Sequence, residues 1–126
     1  MRKIILALSI FLFTSTLFAE DHYAIVYIGA KWCGPCQTMR NTVWGTKEVE
    51  KFVTKDLLPS TDIQIYDVDA DTNKDYVKAC NVISLPTTIV MKVNPKGPTF
   101  PSEEIGRRVG FQPVQSLFSF LKESIK

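Results

Sequence analysis

The chain has 126 residues, a formal net charge of +2 and 45% hydrophobic residues, which suits one small domain with a buried core. Its 15 basic and 13 acidic residues are mixed along the sequence, so a basic nucleic-acid-binding surface is excluded and no nucleic-acid partner is expected. No internal repeat or low-complexity segment is present.

The N-terminal segment, residues 1–19, has the pattern of a secretory signal peptide. Arg2 and Lys3 precede an uncharged, mostly apolar run over 4–18, and a small residue closes the segment. We therefore expect a domain over 20–126 in the periplasm or outside the cell. The alternative is an uncleaved membrane anchor, although the apolar run is shorter than the ~18 residues that a span needs. Loss of the two basic residues would leave the domain formally neutral.

The first predicted element after this segment is a strand over residues 23–30. Its centre, 24–28, is aromatic and β-branched and almost continuously apolar. This pattern is typical of a central strand that is buried on both faces of a sheet.

Two cysteines follow the strand at a spacing of three and open a helix that reaches about residue 44. The spacing places Cys33 at the exposed start of this helix, where unpaired N–H groups and the helix dipole favour a thiolate. Cys36 lies one turn further, on the face that carries Met39 and Val43, and is expected to be shielded. Pro35 falls in the first turn, where its missing N–H has no cost.

Six further elements are predicted from hydrophobic spacing, capping residues and prolines. Thr72 and Asp75 form a capping-box pattern at the start of a short helix that ends at Cys80. Arg107 and Arg108 are the only adjacent basic pair after residue 19 and are expected on a solvated strand edge. In chain order the elements are a helix capped by Thr46 and ending near residue 57, a strand over 63–68, a helix ending at Cys80, strands over 87–93 and 104–109, and a final helix opened by Pro113 whose apolar stripe belongs to the core (Val114, Leu117, Phe118, Leu121 and Ile125).

No metal site is expected. Cys33 and Cys36 could form half of a zinc site, but the remaining candidates, Cys80 and His22, do not make a second paired motif. An inert structural disulfide is the other alternative for the pair. The acidic run over 67–71 lacks the glycine and closing glutamate of a calcium loop and is interpreted as solvated strand-end residues.

At the cysteine pair the sequence resembles the thioredoxin family, whose active-site sequence Trp-Cys-Gly-Pro-Cys is intact. The resemblance implies an α/β fold, a minimal thioredoxin fold with a four-stranded mixed sheet flanked by helices. It also implies Cys33 and Cys36 as catalytic residues, with Trp32, Gly34 and Pro35 contacting the substrate. No cofactor is implied beyond a redox-active Cys33–Cys36 disulfide.

The stretch over 82–87 extends the resemblance, which spans roughly residues 23–125. In this family such a loop carries a cis proline that faces the cysteines, which implies that Leu85, Pro86 and the later Gly110 contact the substrate. An ordinary loop proline is the alternative. At residues 42–49, 85–88 and 109–111 the sequence resembles exported thioredoxin-like proteins, such as the periplasmic reductase domain of the bacterial transmembrane electron transporter.

Two residues depart from the family pattern. Tyr27 stands where thioredoxins usually have a buried aspartate, to which the family resemblance assigns a role in deprotonating the buried cysteine. Tyrosine is a poor proton acceptor near neutral pH because its ordinary pKa is about 10; a water or Lys31 would then have to serve. Cys80 is a third cysteine, either a small buried hydrophobe or a regulatory or partner-bonding thiol. A further strand and helix usually precede the first strand in this family, and we expect none here.

The resemblance predicts an exported thiol–disulfide oxidoreductase that reduces disulfides in envelope proteins. Cys33 would attack a substrate disulfide and Cys36 would resolve the mixed disulfide. The expected partners are protein thiols and disulfides and a membrane or soluble electron donor, and the expected state is a monomer. The alternatives are a disulfide oxidase or isomerase, and a non-catalytic binding module with a thioredoxin fold.

Overall fold

The computed structural model describes residues 22–57, 62–93 and 103–125. The predicted signal segment lies outside these residues. The described elements, in chain order, are β1 (His22–Gly29), α1 (Gly34–Met39) with a π-helical continuation (Arg40–Trp44), α2 (Lys47–Lys51) with a π-helical continuation (Phe52–Leu57), β2 (Asp62–Asp69), α3 (Lys74–Ala79), β3 (Thr87–Val93), β4 (Glu103–Val109) and α4 (Val114–Ser124). No helix in the described ranges is long and apolar enough to cross a membrane.

The four strands form one mixed sheet in the order β2-β1-β3-β4. β1 pairs in parallel with β2 and antiparallel with β3, and β3 pairs antiparallel with β4. The predicted central position of β1 is confirmed, since residues 23–29 are all buried. The expected fold class, a four-stranded mixed sheet flanked by helices, is confirmed.

Strand alternation gives the sheet two different faces. On one face, which we call the thick face, Ile25, Tyr27 and Val90 pack against side chains of α1, α2, their continuations and α4. On the other, the thin face, Val26 and Ile89 pack mainly against α3 and the loop that follows it.

α2 begins at the predicted capping residue, but α3 does not. The Thr46 hydroxyl accepts from the Val49 N–H at 3.4 Å, which confirms it as a cap. The predicted capping box at Thr72 and Asp75 is wrong, because α3 is preceded by Asn73 and has no side-chain cap. The Thr72 hydroxyl instead donates to the carbonyl of Asp69, in the turn that leaves β2.

The final helix buries a wider face than the predicted stripe. Leu117, Leu121 and Ile125 are buried as expected, and Phe120 is buried with them. Phe118 is half-buried and stacks on Phe52 with ring centroids 4.1 Å apart. α4 packs against both the sheet and the π-helical continuation of α2, which explains why more than one row of its side chains is buried or half-buried.

Candidate active site

The two cysteines form a disulfide at the point where β1 gives way to α1. The Cys33 N–H donates to the carbonyl of Ala30 at 3.2 Å, which closes the turn between strand and helix. Cys33 is the N-cap of α1 with an extended backbone, and its Sγ accepts from the Cys36 N–H at 3.3 Å. An N–H donor aimed at this sulfur stabilises negative charge there, as the sequence pattern predicted.

Burial differs from the prediction at one of the two sulfurs. Cys36 is fully buried with Met39, as expected, but Cys33 is only 7% exposed. The expectation of an exposed Cys33 is therefore wrong for the disulfide form. The reason is that the bond holds Cys33 against a buried partner, while Leu85 packs over both cysteines and Ala30.

The proline loop, residues 81–86, reaches the disulfide through Leu85. The Leu85–Pro86 peptide bond is cis, and Pro86 is buried. The Pro86 carbonyl accepts from the Gly110 N–H at 2.7 Å, which ties the loop to the residue after β4. Gly110 has φ +91°, a conformation that side chains disfavour, so glycine suits this position.

The other predicted contact residues lie on the outer side of the cysteine turn. Gly34 and Pro35 are exposed in the first turn of α1. Trp32 is 71% exposed, and its indole N–H donates to the Asp71 carboxylate at 2.9 Å. Asp71 was predicted to be merely solvated. No pattern in the sequence indicated this partner, which lies 39 positions away.

Tyr27 lies directly behind the cysteine turn. Its side chain is buried, and its hydroxyl donates to the Cys36 carbonyl at 2.7 Å. Burial raises the pKa of Tyr27 to about 12, although the nearby Arg40 guanidinium opposes this shift. Arg40 in turn is paired with Asp67 at 2.7 Å. Tyr27 is thus a neutral donor that fixes the helix backbone, and at neutral pH it does not take a proton from Cys36.

The third cysteine is separate from this pair. Cys80 is buried and is not in a disulfide. Burial raises the pKa of its thiol, and the Tyr76 hydroxyl beside it opposes this with a hydrogen bond. The raised pKa and the burial make this thiol a weak nucleophile in the folded chain.

Arg107 does not behave as a solvated strand-edge residue, so that prediction is wrong for it. Its guanidinium donates to the carbonyls of Cys80 and Asn81, at 2.6 and 3.2 Å. Arg108, the other member of the pair, is exposed as predicted and extends over the ring of Phe120 at 4.5 Å. Neighbouring side chains on a strand point to opposite faces, which separates the two arginines.

Nothing in the described residues resembles a metal centre. Over 22–57, 62–93 and 103–125 no group of three or more His, Cys, Asp or Glu side chains could hold a metal ion. A cavity of about 390 Å³ is lined by Tyr27, Trp44 and Tyr66 among others, and neither active-site cysteine lines it. The cysteine pair itself supports dithiol–disulfide chemistry, with one sulfur at the N-terminus of α1 and the other fully buried.

Comparisons with known proteins agree with this geometry. The family model described as "Thioredoxin" matches residues 5–123. Thioredoxin of Mycobacterium tuberculosis is 28% identical over 80 residues, which cover 64% of this chain and 61% of that protein. Thioredoxin of Borreliella burgdorferi is 34% identical over 79 residues, which cover 63% and 60%. The chain thus spans about three fifths of the length of these curated relatives. The crystal structure of thioredoxin from Trypanosoma brucei brucei has a TM-score of 0.59 at 28% identity, with 82% of this chain and 75% of that chain covered.

Proposed function

This chain belongs to the thioredoxin family, and from that premise we propose that it is an exported thiol–disulfide oxidoreductase that reduces disulfides in envelope proteins. The observation that carries the proposal is the asymmetry of the cysteine pair. The Cys33 sulfur caps α1 and receives the Cys36 N–H, whereas the Cys36 sulfur is fully buried behind it. One sulfur is thus placed to react first and the other to react second.

In the reduced protein the Cys33 thiolate attacks one sulfur of a substrate disulfide. The substrate S–S bond breaks, a mixed disulfide to Cys33 forms, and one substrate thiolate leaves and takes up a proton. Cys36 then loses its proton and attacks the Cys33 sulfur, which releases the second substrate thiol. Two electrons pass from the dithiol to the substrate, and the Cys33–Cys36 disulfide remains. No cofactor takes part, and an external dithiol donor must supply two electrons and two protons to reset the pair.

The direction of transfer is proposed from the residues between the cysteines. Gly34 and Pro35 make a pair that resembles the reducing members of the family, which have reduction potentials of about −270 mV, rather than the strong oxidant, at about −120 mV.

Export is proposed from the charged start and apolar run over 1–19. In an oxidising compartment such a reductant depends on a membrane or soluble donor. Leu85 and Pro86 are proposed to offer backbone to an extended substrate segment.

A trapping experiment in the native host tests the proposal. In Cys36→Ser the attacking sulfur remains and the resolving sulfur is lost, so mixed disulfides to Cys33 should accumulate in the envelope. The matched control, Cys33→Ser, should give none. Non-reducing gels and mass spectrometry would identify the adducts, and N-terminal sequencing of the purified wild-type protein would show whether it begins near Glu20.

The outcomes separate the alternatives. Adducts with folded enzymes or cytochrome-like proteins favour the reductase, while adducts with many unfolded exported proteins favour an oxidase or isomerase. Equal adducts in both variants would make Cys80 the reactive thiol. An absence of adducts, together with a normal phenotype in the double variant, would contradict the oxidoreductase and favour a binding module. An intact Met1 in the membrane fraction would replace a cleaved signal with an anchor.

A further inference from the structure

The side chain of Arg107 crosses from the edge strand β4 to the C-terminal end of α3. Its two terminal nitrogens donate to the carbonyls of Cys80 and Asn81, at 2.6 and 3.2 Å, and its Nε donates to Glu104 at 3.1 Å. The Arg107 side chain as a whole is 25% exposed. A planar group held by three acceptors in this way has one orientation available to it.

The two carbonyls need such a donor because of how α3 ends. Asn81 has φ 54°, and its N–H donates to Lys78 while the N–H of Val82 donates to Val77, each at 3.1 Å. This left-handed ending uses earlier carbonyls of the helix and leaves those of Cys80 and Asn81 without a partner inside it. A cation at the negative end of the helix satisfies both the hydrogen bonds and the charge.

The chain leaves this end of α3 as the proline loop, and the far end of that loop is also held by residues at β4. The Pro86 carbonyl accepts from the Gly110 N–H at 2.7 Å. The Thr87 hydroxyl donates to the Ser84 carbonyl at 2.6 Å. Between these anchors Leu85 packs on the disulfide. β4 and the residue after it therefore clamp the loop at both ends, with Arg107 as the clamp at the α3 end.

We propose that Arg107 is a positioning residue for substrate binding, which fixes the α3 end of the proline loop so that Leu85 stays in register with the cysteine pair. The inference rests on the proposed function, because it assigns the loop to substrate. Lysine would not replace arginine here, since one ammonium group cannot donate to two carbonyls and keep the Glu104 contact in the same planar geometry. Arg107 acts through the loop and has no contact with the sulfurs in this proposal.

The test compares Arg107→Ala and Arg107→Lys with Arg108→Ala. The control removes the same charge from the neighbouring position, but its side chain lies over Phe120 and beside Glu123 on the other face of β4. Insulin serves as the protein disulfide, with dithiothreitol as donor, and DTNB serves as a small disulfide that reacts with the cysteine pair without an extended segment to bind at the loop. Hydrogen exchange of peptides that cover 80–86 is measured on the same samples.

We expect the KM for insulin to rise about tenfold in both Arg107 variants, while kcat and the DTNB rate change by less than about twofold. Exchange over 80–86 should become faster in these variants and remain unchanged in Arg108→Ala. A purely structural role would instead lower both reactions in proportion to the folded fraction. If Arg107→Ala does not fold, Arg107→Lys carries the comparison.

Two results would overturn the inference: unchanged exchange over 80–86 in both Arg107 variants, or equal changes of the insulin KM in Arg107→Ala and Arg108→Ala. Failure of the proposed function looks different. In that case the wild-type protein would reduce neither insulin nor DTNB, and the exchange data alone would still decide whether Arg107 holds the loop.

Discussion

The two faces of the sheet are held against their helices by different kinds of contact. On the thick face, α4 places Leu117 and Phe120 among buried strand residues, and α1 adds Met39. On the thin face, α3 contributes no fully buried side chain, and its C-terminal end is held by Arg107 and by a left-handed turn at Asn81.

The two halves of the candidate site divide between these faces. The helix that carries Cys36 is packed into the large apolar core, while the proline loop follows the sparsely buried α3. The hydrophobic effect is not directional, whereas a hydrogen bond has a preferred distance and angle and so fixes a backbone atom in one place. We infer that the thick face supplies most of the stability and the thin face supplies the placement of the loop.

The largest effect is expected from truncation of α4. Leu117→Ala removes a fully buried side chain and should lower the free energy of unfolding by about 2–5 kcal/mol. Its counterpart on the thin face, Val77→Ala on α3, is only half-buried and should cost about 1 kcal/mol. Urea unfolding of the two variants measures both values. Equal losses would contradict the division of roles.

A smaller effect is expected from filling space on the thick face. A Cβ at Gly106 would lie 2.9 Å from Phe120 Cε2 and 3.0 Å from Ser124 Oγ, so Gly106→Ala should cost about 1–3 kcal/mol. Gly34→Ala is the matched control, because nothing lies within 4 Å of the added carbon there. Its stability should stay within about 0.5 kcal/mol of wild type in the same unfolding assay. A neutral Gly106→Ala would show that α4 can move away from β4 without cost.

The smallest effect is expected on stability at alkaline pH, to which one tyrosine on each face of the sheet contributes. Burial is the main cause that raises the pKa of both Tyr27 and Tyr76 to about 12. The unfolded chain ionises near pH 10 and the folded chain only near pH 12, so stability is retained below pH 10 and is lost as pH rises from 10 to 12. Tyr27→Phe and Tyr76→Phe should each reduce this loss by on the order of 1 kcal/mol. Urea unfolding at pH 9 and pH 11.5 measures it. A flatter profile for Tyr27→Phe alone would mean that water reaches Tyr76 beneath α3.

The sequence predicted those parts of the molecule that depend on local patterns. β3 has the predicted bounds, Thr87–Val93, because a proline precedes it and its core is β-branched. The cap at Thr46 and the place of Cys33 at the start of α1 follow from side chains within a few positions. The four-stranded mixed sheet was expected from the family resemblance, whereas the order of its strands, β2-β1-β3-β4, was not predicted.

The contacts that were missed join residues far apart in sequence. Trp32 meets Asp71 across 39 positions, and Arg107 meets Cys80 across 27. Composition and periodicity describe which face a side chain occupies, but they do not say which distant backbone group it will find there. Tyr27 is an intermediate case, since its departure from the family pattern was visible while the carbonyl that it bonds was not.

The hydrogen bond from Tyr27 to the Cys36 carbonyl also joins two elements that would otherwise open separately. It connects the central strand to the first helix, directly beneath a sulfur that has no solvent exposure. With Leu85 packed against the pair, a reagent can reach that sulfur only when strand and helix part together, since fraying of the helix start alone would leave this link in place. The rate at which an alkylating agent modifies the Cys36 sulfur in the reduced protein therefore measures how often β1 and α1 open cooperatively.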